Sequence, residues 1–169
     1  MSRRDNPLPD TPYKGLMPYS EEDAPFFFGR EAEREIITAN LLASRLTLLY
    51  GASGVGKTSV LCAGVAHHLR QVAQQNLTER GTPEFAVVVF SSWRDDPLAG
   101  LVDRVQDSVA QTVGATHLES ASHLESRTLA QTLQAWAERV GGDLLIILDQ
   151  FEEYFLYHPQ EDGVSGHTV

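Results

Sequence analysis

One stretch of nine residues has the composition and spacing of a phosphate-binding loop. Gly51, Gly56, Lys57 and Thr58 fit the pattern G-x-x-x-x-G-K-[ST]. Glycines permit the positive φ angles that turn successive N–H groups into one concavity, and a following helix adds its own free N–H groups. The lysine then supplies a cation for the β- and γ-phosphates, and the threonine hydroxyl supplies a ligand for Mg²⁺. Nucleotide contacts are therefore expected along the whole loop: Gly51, Ala52, Ser53, Gly54, Val55, Gly56, Lys57, Thr58 and Ser59.

Acidic residues follow an apolar run further along the chain. Leu144–Leu148 has the sequence Leu-Leu-Ile-Ile-Leu, which predicts a buried strand, and Asp149 comes directly after it. Mg²⁺ prefers charged oxygen ligands, so Asp149 is the expected partner of Thr58 in holding the metal. Glu152 and Glu153 are the candidate catalytic residues, because a carboxylate there can orient an attacking water. The sequence does not decide between these two glutamates.

The elements that must position these residues alternate between strands and helices. Apolar runs predict strands over Arg45–Tyr50, directly before the loop, and over Phe85–Phe90. Helical spacing predicts helices over 31–42, from the loop to Val72, over 98–113 and over 126–140, with a polar break over 74–83. Such alternation predicts an α/β fold with a parallel sheet, whose ligands bind at the carboxyl ends of the strands.

Composition narrows the classes of function. The 169 residues carry a net charge of −10 and show no basic stripe, which disfavours direct binding to nucleic acid or to anionic membrane surfaces. No run of 18 apolar residues and no apolar signal-peptide core occur, so we expect a cytoplasmic protein without a membrane span. The single Cys62 has no partner for an internal disulfide and is interpreted as a small apolar residue.

Three sections are expected along the chain. Residues 1–25 contain five prolines and predict an extended lead-in, whose apolar stretch Tyr13–Tyr19 should pack on the domain. Residues 26–157 form the domain itself, and residues 158–169 form a polar tail. Two tryptophans are interpreted as packing residues, Trp136 in the core and Trp93 at its edge. The six histidines show no metal-ligand spacing.

Four segments together resemble the N-terminal part of a STAND-class signalling NTPase of the bacterial "novel STAND" group. In chain order they are Tyr13–Tyr19, Asp23–Glu31, the P-loop (Walker A) Gly51–Ser59 with Leu61–Gly64 behind it, and the Walker B segment Leu144–Glu153. The resemblance implies an AAA-related P-loop NTPase, a three-layer sandwich around a parallel sheet. It also implies a switch that binds ATP or ADP with Mg²⁺ and hydrolyses ATP slowly. The family's Gly-Arg-Glu box lies near the nucleotide, which makes Gly29 and Arg30 secondary candidates. A surface or helix-capping role is the equal alternative for Arg30.

The resemblance also implies that part of the fold is missing from this chain. In the family a strand later in sequence lies between the P-loop strand and the Walker B strand, whereas this chain ends sixteen residues after Glu153. We therefore expect an incomplete sheet without its C-terminal strands, and a fragment that is inactive alone. Expected partners are the nucleotide, a sensor or effector domain on the rest of the polypeptide, and further copies in a nucleotide-dependent homo-oligomer.

Two other classes of function fit the loop. One is a P-loop kinase acting on a small molecule, which needs an acceptor pocket and an arginine-rich lid, and the sequence shows neither. The other is a non-catalytic nucleotide-binding interaction module, in which the nucleotide only orders the fold. Hydrolysis that depends on the two glutamates separates the switch from the module. No guanine-reading motif is present, which favours ATP over GTP.

Overall fold

A computed structural model describes residues 14–114 and 128–159 of the chain. A 3-10 helix (Glu21–Phe26) and helix α1 (Glu31–Ala43) come first. One unbroken helix follows, built of α2 (Lys57–Ser59), a π-helical segment (Val60–Ala66) and α3 (His67–Arg80), and is called the long helix below. The remaining elements are β1 (Phe85–Phe90), α4 (Pro97–Val113), α5 (Leu129–Val140), β2 (Asp143–Leu148) and α6 (Glu152–Tyr157).

The two strands form a parallel sheet. They pair in a register that runs from Phe85 opposite Asp143 to Phe90 opposite Leu148. The continuous apolar sequence of β1 predicts a strand that is covered on both faces, and its central residues Ala86 to Val88 are at most 1% exposed. Both strands and the parallel α/β architecture expected from the sequence are therefore confirmed.

Helices cover both faces of this sheet. Side chains alternate along a strand, so Val87 points to one face and Val88 to the other. Val87 belongs to a cluster with residues of the long helix, such as Val65 and Leu69. Val88 belongs to a second cluster, with α4 and α5, that includes Trp136. Trp136 is 1% exposed, which confirms its place in the core. None of the described helices is long and apolar enough to cross a membrane.

The segment directly before the glycine loop differs from the prediction. Residues 46–50 form no strand and pair with neither β1 nor β2. Leu46, Leu48 and Tyr50 are each more than 80% exposed. Propensity alone does not make a strand, because the backbone ladder and the burial of one face both require a neighbour. The sheet of the described residues therefore has two strands, without the strand predicted over Arg45–Tyr50.

The far edge of β2 offers the reason for this difference. The N–H groups of Asp143 and Asp149 donate to carbonyls at either end of β1, at 3.0 and 2.9 Å. Backbone groups alternate in direction along a strand, so Leu144, Ile146 and Leu148 direct theirs away from β1. No described strand pairs with that edge. The long helix also runs further than expected, to Arg80, and Gly81 ends it in a left-handed conformation.

The lead-in is less extended and less buried than expected. Its last residues form the 3-10 helix, with Pro25 inside it. Leu16 and Met17 are fully or largely exposed, so the predicted packing of this apolar stretch is wrong for both. Tyr19 is half-buried and packs its ring against Phe27, with 5.7 Å between centroids. Tyr13 lies outside the described residues.

Candidate functional site

The glycine loop, Gly51–Ser59, has the backbone conformation that its sequence predicts. Gly54 and Gly56 have φ angles of +80° and +82°, in the left-handed region that glycine adopts without strain and residues with a Cβ do not. Gly56 is also the N-cap of α2, so the long helix begins directly at Lys57. The residues from Gly51 to Val55 are exposed. The loop therefore presents its backbone, with the free N–H groups of a helix N-terminus, at an open surface.

Lys57 folds back over the loop that precedes it. Its Nζ donates to the carbonyl oxygens of Gly51, at 2.9 Å, and Ala52, at 3.0 Å. Both acceptors are backbone groups at the start of the loop. The ammonium is therefore held at the loop without a carboxylate partner among the described residues. An anion that binds the loop meets a positive charge that forms no ion pair with the acidic side chains of residues 14–114 and 128–159.

The Gly-Arg-Glu box is joined to the glycine loop. Arg30, the N-cap residue of α1, donates from its guanidinium to the carbonyl of Val55 at 3.3 Å. Its Nε also lies 2.9 Å from a carboxylate oxygen of Glu33, within the first turn of the helix. Gly29, at φ +78°, donates its N–H to Glu31 at 3.1 Å, so that amide is already engaged. The structure thus brings Arg30 to the loop by a direct contact.

Ser59 turns its side chain away from the loop. The residue is buried, and its hydroxyl accepts a hydrogen bond from the N–H of Tyr19 at 3.0 Å. The lead-in is thereby attached to the first turn of the long helix. The backbone N–H of Ser59, in the first turn of the helix, stays directed toward the loop.

Asp23 holds the lead-in in the position that this contact requires. It is 2% exposed, forms an ion pair with Lys14, and accepts two 2.7 Å hydrogen bonds from the N–H and hydroxyl of Ser20. The Lys14 ammonium first, and then these Ser20 donors, lower the pKa of Asp23 to about 2. A second ion pair, 2.7 Å between Glu21 and Arg70, ties the 3-10 helix to the long helix.

Asp149 is a buried residue directly after β2 that faces the long helix. It is 6% exposed, and no group in the described part of the chain donates a hydrogen bond to its carboxylate. Ile147, two residues earlier and therefore on the same face of the sheet, packs in one cluster with Val60 and Leu61. The acid at the end of β2 is thus directed to the helix that the glycine loop begins.

Cys62 provides a second sign of this proximity. Burial raises the pKa of its thiol to about 11, and the negative charge of Asp149 is the next largest cause. The thiol is therefore protonated at neutral pH, which agrees with its interpretation as a packing residue and excludes an activated nucleophile. The charge of Asp149 therefore acts on Cys62, which lies on the long helix four residues after Thr58.

The turn after Asp149 is strained and carries the two glutamates. Gln150 has a φ of +54°, a left-handed conformation that costs a non-glycine residue about 1–3 kcal/mol. Helix α6 then begins with Glu152, which is exposed, and Glu153, which is half-buried. Neither carboxylate has a hydrogen-bond or ion-pair partner among the described residues. The two glutamates therefore differ in burial, Glu153 being the less exposed.

A comparison with models of known protein families gives a match that spans most of the chain. The family model described as Novel STAND NTPase 1 matches residues 12–165. The chain belongs to this family. The family implies that the chain binds a nucleotide, which agrees with the loop geometry described above. No curated protein and no solved structure matches the chain.

The sequence did not reveal the part that Trp93 plays in this STAND NTPase. As expected, Trp93 is buried, at 5% exposure, but its indole N–H also donates to the carbonyl oxygen of Asp149 at 2.7 Å. A ring nitrogen of His158 lies 2.8 Å from the carbonyl oxygen of Trp93, to which it donates. The only local signal was the position of Trp93, three residues past the apolar run of β1.

The described part of the STAND NTPase offers few protein ligands for a metal ion. No three His, Cys, Asp or Glu side chains come together as a metal site in the described residues. Mg²⁺ at a nucleotide needs only one or two protein oxygens, because phosphates and waters complete its octahedron. A cavity of about 340 Å³ lies beside Arg30, lined also by Phe27, Arg34, Gly64 and His68. No residue of the glycine loop lines that cavity, so the loop is a separate surface.

Proposed function

We propose that this STAND NTPase binds ATP and ADP, with Mg²⁺, at the glycine loop and hydrolyses ATP slowly. Support comes from the loop backbone, from the Lys57 ammonium held over it, and from the membership of the chain in an NTPase family. The triphosphate would lie against the N–H groups of Gly51–Ser59, with the Lys57 ammonium at the β- and γ-phosphates. Hydrolysis transfers the γ-phosphoryl group to water and yields ADP and phosphate.

One observation carries the metal part of this proposal. Asp149 is only 6% exposed as a residue, faces the long helix, and its carboxylate accepts no hydrogen bond from the described residues. A buried charge without a partner is costly, so such a carboxylate needs a cation. Thr58, at the start of the same helix, is the second candidate ligand. A Mg²⁺ ion held by Asp149 and Thr58 would neutralise charge on the phosphates.

We propose catalytic roles for the two glutamates and binding roles for Gly29 and Arg30 of the Gly-Arg-Glu box. Glu153 or Glu152 orients the attacking water, and the half-buried Glu153 is placed first because burial restricts its motion. Arg30 donates to the carbonyl of Val55 in the loop, and we propose that Arg30 and the neighbouring Gly29 contact the bound nucleotide.

A switch function extends the proposal beyond this chain. We infer that slow hydrolysis controls the assembly of further copies and the activity of a sensor or effector domain on the same polypeptide, in the cytoplasm. This inference rests on the resemblance to STAND signalling proteins. The net charge of −10 supports a module that contacts neither nucleic acid nor membrane directly. A complete sheet requires a strand that pairs with the free edge of β2.

Isothermal calorimetry on the full-length polypeptide tests the metal site. Asp149→Asn keeps the size of the side chain and removes its charge, so ATP affinity in Mg²⁺ should fall at least about tenfold, or ~1.4 kcal/mol, and affinity in EDTA should change little. Asp143→Asn is the matched control, because Asp143 is an exposed acid at the opposite end of the same strand. Equal behaviour of the two variants would show that Asp149 does not hold the metal.

Measurements of ATP binding and of phosphate release distinguish the NTPase from the two alternative functions, a non-catalytic binding module and a small-molecule kinase. ATP binding without any turnover, in the wild type and in variants of both glutamates, would identify a non-catalytic nucleotide-binding module. Phosphate transfer to an added metabolite, with little ATP hydrolysis in its absence, would identify a small-molecule kinase. Release of phosphate that requires Mg²⁺ but no added metabolite supports the NTPase function.

A further inference from the structure

Trp93 connects the loop after β1 to the turn after β2. Its indole N–H donates to the carbonyl oxygen of Asp149 across 2.7 Å, a short and well-formed hydrogen bond. The residue is 5% exposed, so water competes little for this bond. The donor belongs to the loop after one strand and the acceptor to the end of the neighbouring strand.

The indole itself is held in place by aromatic rings on two sides. Phe90 lies edge-on at 4.9 Å between centroids, and Phe151 lies edge-on at 5.1 Å. The ring of Tyr154 is a third neighbour, at 6.2 Å. The His158 ring, at the end of α6, donates to the Trp93 carbonyl at 2.8 Å. Both the side chain and the backbone of Trp93 are therefore fixed, and a fixed donor can orient its acceptor.

Asp149 needs such an orienting contact because no described group holds its carboxylate. The direction of that side chain must then come from its backbone. On one side, the Asp149 N–H donates to the Phe90 carbonyl at 2.9 Å, the last rung between the two strands. On the other side, the chain leaves the strand through Gln150 at φ +54°. The Trp93 hydrogen bond fixes the peptide plane between Asp149 and Gln150, which has no rung to hold it.

We propose that Trp93 is a positioning residue for Asp149. The hydrogen bond from its indole, together with the rung to Phe90, sets the direction in which the Asp149 carboxylate meets Mg²⁺. This inference rests on the proposed role of Asp149 as a metal ligand. Trp93 does not contact the metal or the nucleotide in this scheme. Through its ring contact with Phe151 it also sets where α6, with the two glutamates, begins.

Trp93→Phe in the full-length polypeptide tests the proposal, because phenylalanine keeps an aromatic ring and removes the N–H. Trp136→Phe is the matched control: Trp136 is 1% exposed, and its Nε1 has no hydrogen-bond partner in the described part of the chain. ATP affinity is measured across a Mg²⁺ titration and in EDTA. Trp93→Phe should need about tenfold more Mg²⁺ for half-maximal tightening, at the lower end of losses from removing a group that orients a metal ligand. Trp136→Phe should match the wild type, and the affinities in EDTA should agree.

Asp149→Asn in the same titration distinguishes a failure of the metal site at Asp149 from a failure of the positioning role of Trp93. A changed Mg²⁺ dependence in Asp149→Asn, with Trp93→Phe equal to Trp136→Phe, overturns the positioning role and leaves the metal site standing. An unchanged Mg²⁺ dependence in Asp149→Asn overturns the metal site, and the positioning role with it. If Trp93→Phe melts at a lower temperature than the control, 3-benzothienylalanine at position 93 repeats the test, since it keeps the bicyclic shape and lacks the N–H.

Discussion

The guanidinium of Arg30 donates a hydrogen bond to the carbonyl of Val55, with 3.3 Å between nitrogen and oxygen. Val55 precedes Gly56, whose φ of +82° sets the final turn of the glycine loop before the long helix. The contact therefore restrains the loop from the start of α1. Support of the loop is a role beyond the two considered for Arg30, contact with the nucleotide and capping of the helix, and the ion pair with Glu33 keeps the residue in place at the helix N-terminus.

Substitutions of Lys57 and Arg30 should weaken nucleotide binding to different degrees. Lys57→Ala removes the cation at the phosphates, so ATP affinity should fall at least about tenfold, or ~1.4 kcal/mol. Arg30→Ala removes one hydrogen bond to the loop, typically worth about 0.5–1.5 kcal/mol, so the loss should be smaller, about threefold to tenfold. Calorimetry on the full-length polypeptide measures both. Arg34→Ala is the control, because Arg34 lies one turn along α1 and its side chain makes no hydrogen bond to the loop. Unchanged affinity in Lys57→Ala would refute the assignment of the phosphate loop.

Substitutions of the two glutamates should spare binding and slow turnover. Glu153→Gln should reduce the rate of phosphate release at least about tenfold, because positioning the attacking water is the larger part of catalysis in this chemistry. Glu152→Gln should have the smaller effect, since Glu152 is exposed and Glu153 is half-buried. Steady-state phosphate release and ATP affinity are measured together. Normal turnover in both variants, and in the double variant, would exclude a catalytic role for either residue.

Acid should release the lead-in from the long helix. The pKa of Asp23 is lowered from 3.8 to about 2, chiefly by Lys14, so its ionised form favours the folded state. This contribution is complete above pH 4 and is lost as the pH falls from about 4 through 2, when the carboxylate takes up a proton. The protection factor of the Tyr19 amide, which donates to Ser59, reports the release in hydrogen-exchange experiments. Lys14→Met should move the transition to higher pH. Constant protection between pH 5 and 2 would contradict the predicted release.

The 169-residue chain by itself should hydrolyse ATP no faster than background. Residues 46–50 and the far edge of β2 have no strand partner in the described part of the chain. Residues 46–50 are largely exposed, so the segment that leads into the glycine loop is not fixed against a sheet, and a loop without that support does not hold the phosphates in one reactive geometry. Activity should appear when the polypeptide includes a strand that pairs with β2. A soluble 169-residue chain that melts cooperatively, with Mg²⁺-dependent turnover lost in Lys57→Ala, would overturn this prediction.

The local sequence was sufficient for the features that depend on neighbouring residues. The spacing of Gly51, Gly56 and Lys57 predicted a loop that the structure builds with left-handed glycines, since only glycine adopts that conformation without strain. The apolar runs of β1 and β2 and the helical stripe containing Trp136 also predicted elements that the structure confirms. Their type follows from periodicity, which a single segment contains in full.

Tertiary structure decided what depends on a partner far along the chain. Residues 46–50 have the composition of a strand, but a strand exists only where another strand completes its hydrogen bonds, and none does so in the described residues. The contact of Trp93 with Asp149 joins residues 56 positions apart, and that of Arg30 with Val55 joins residues 25 apart. Such pairs meet because β1 and β2 lie side by side and α1 packs on the long helix, arrangements that no local pattern encodes.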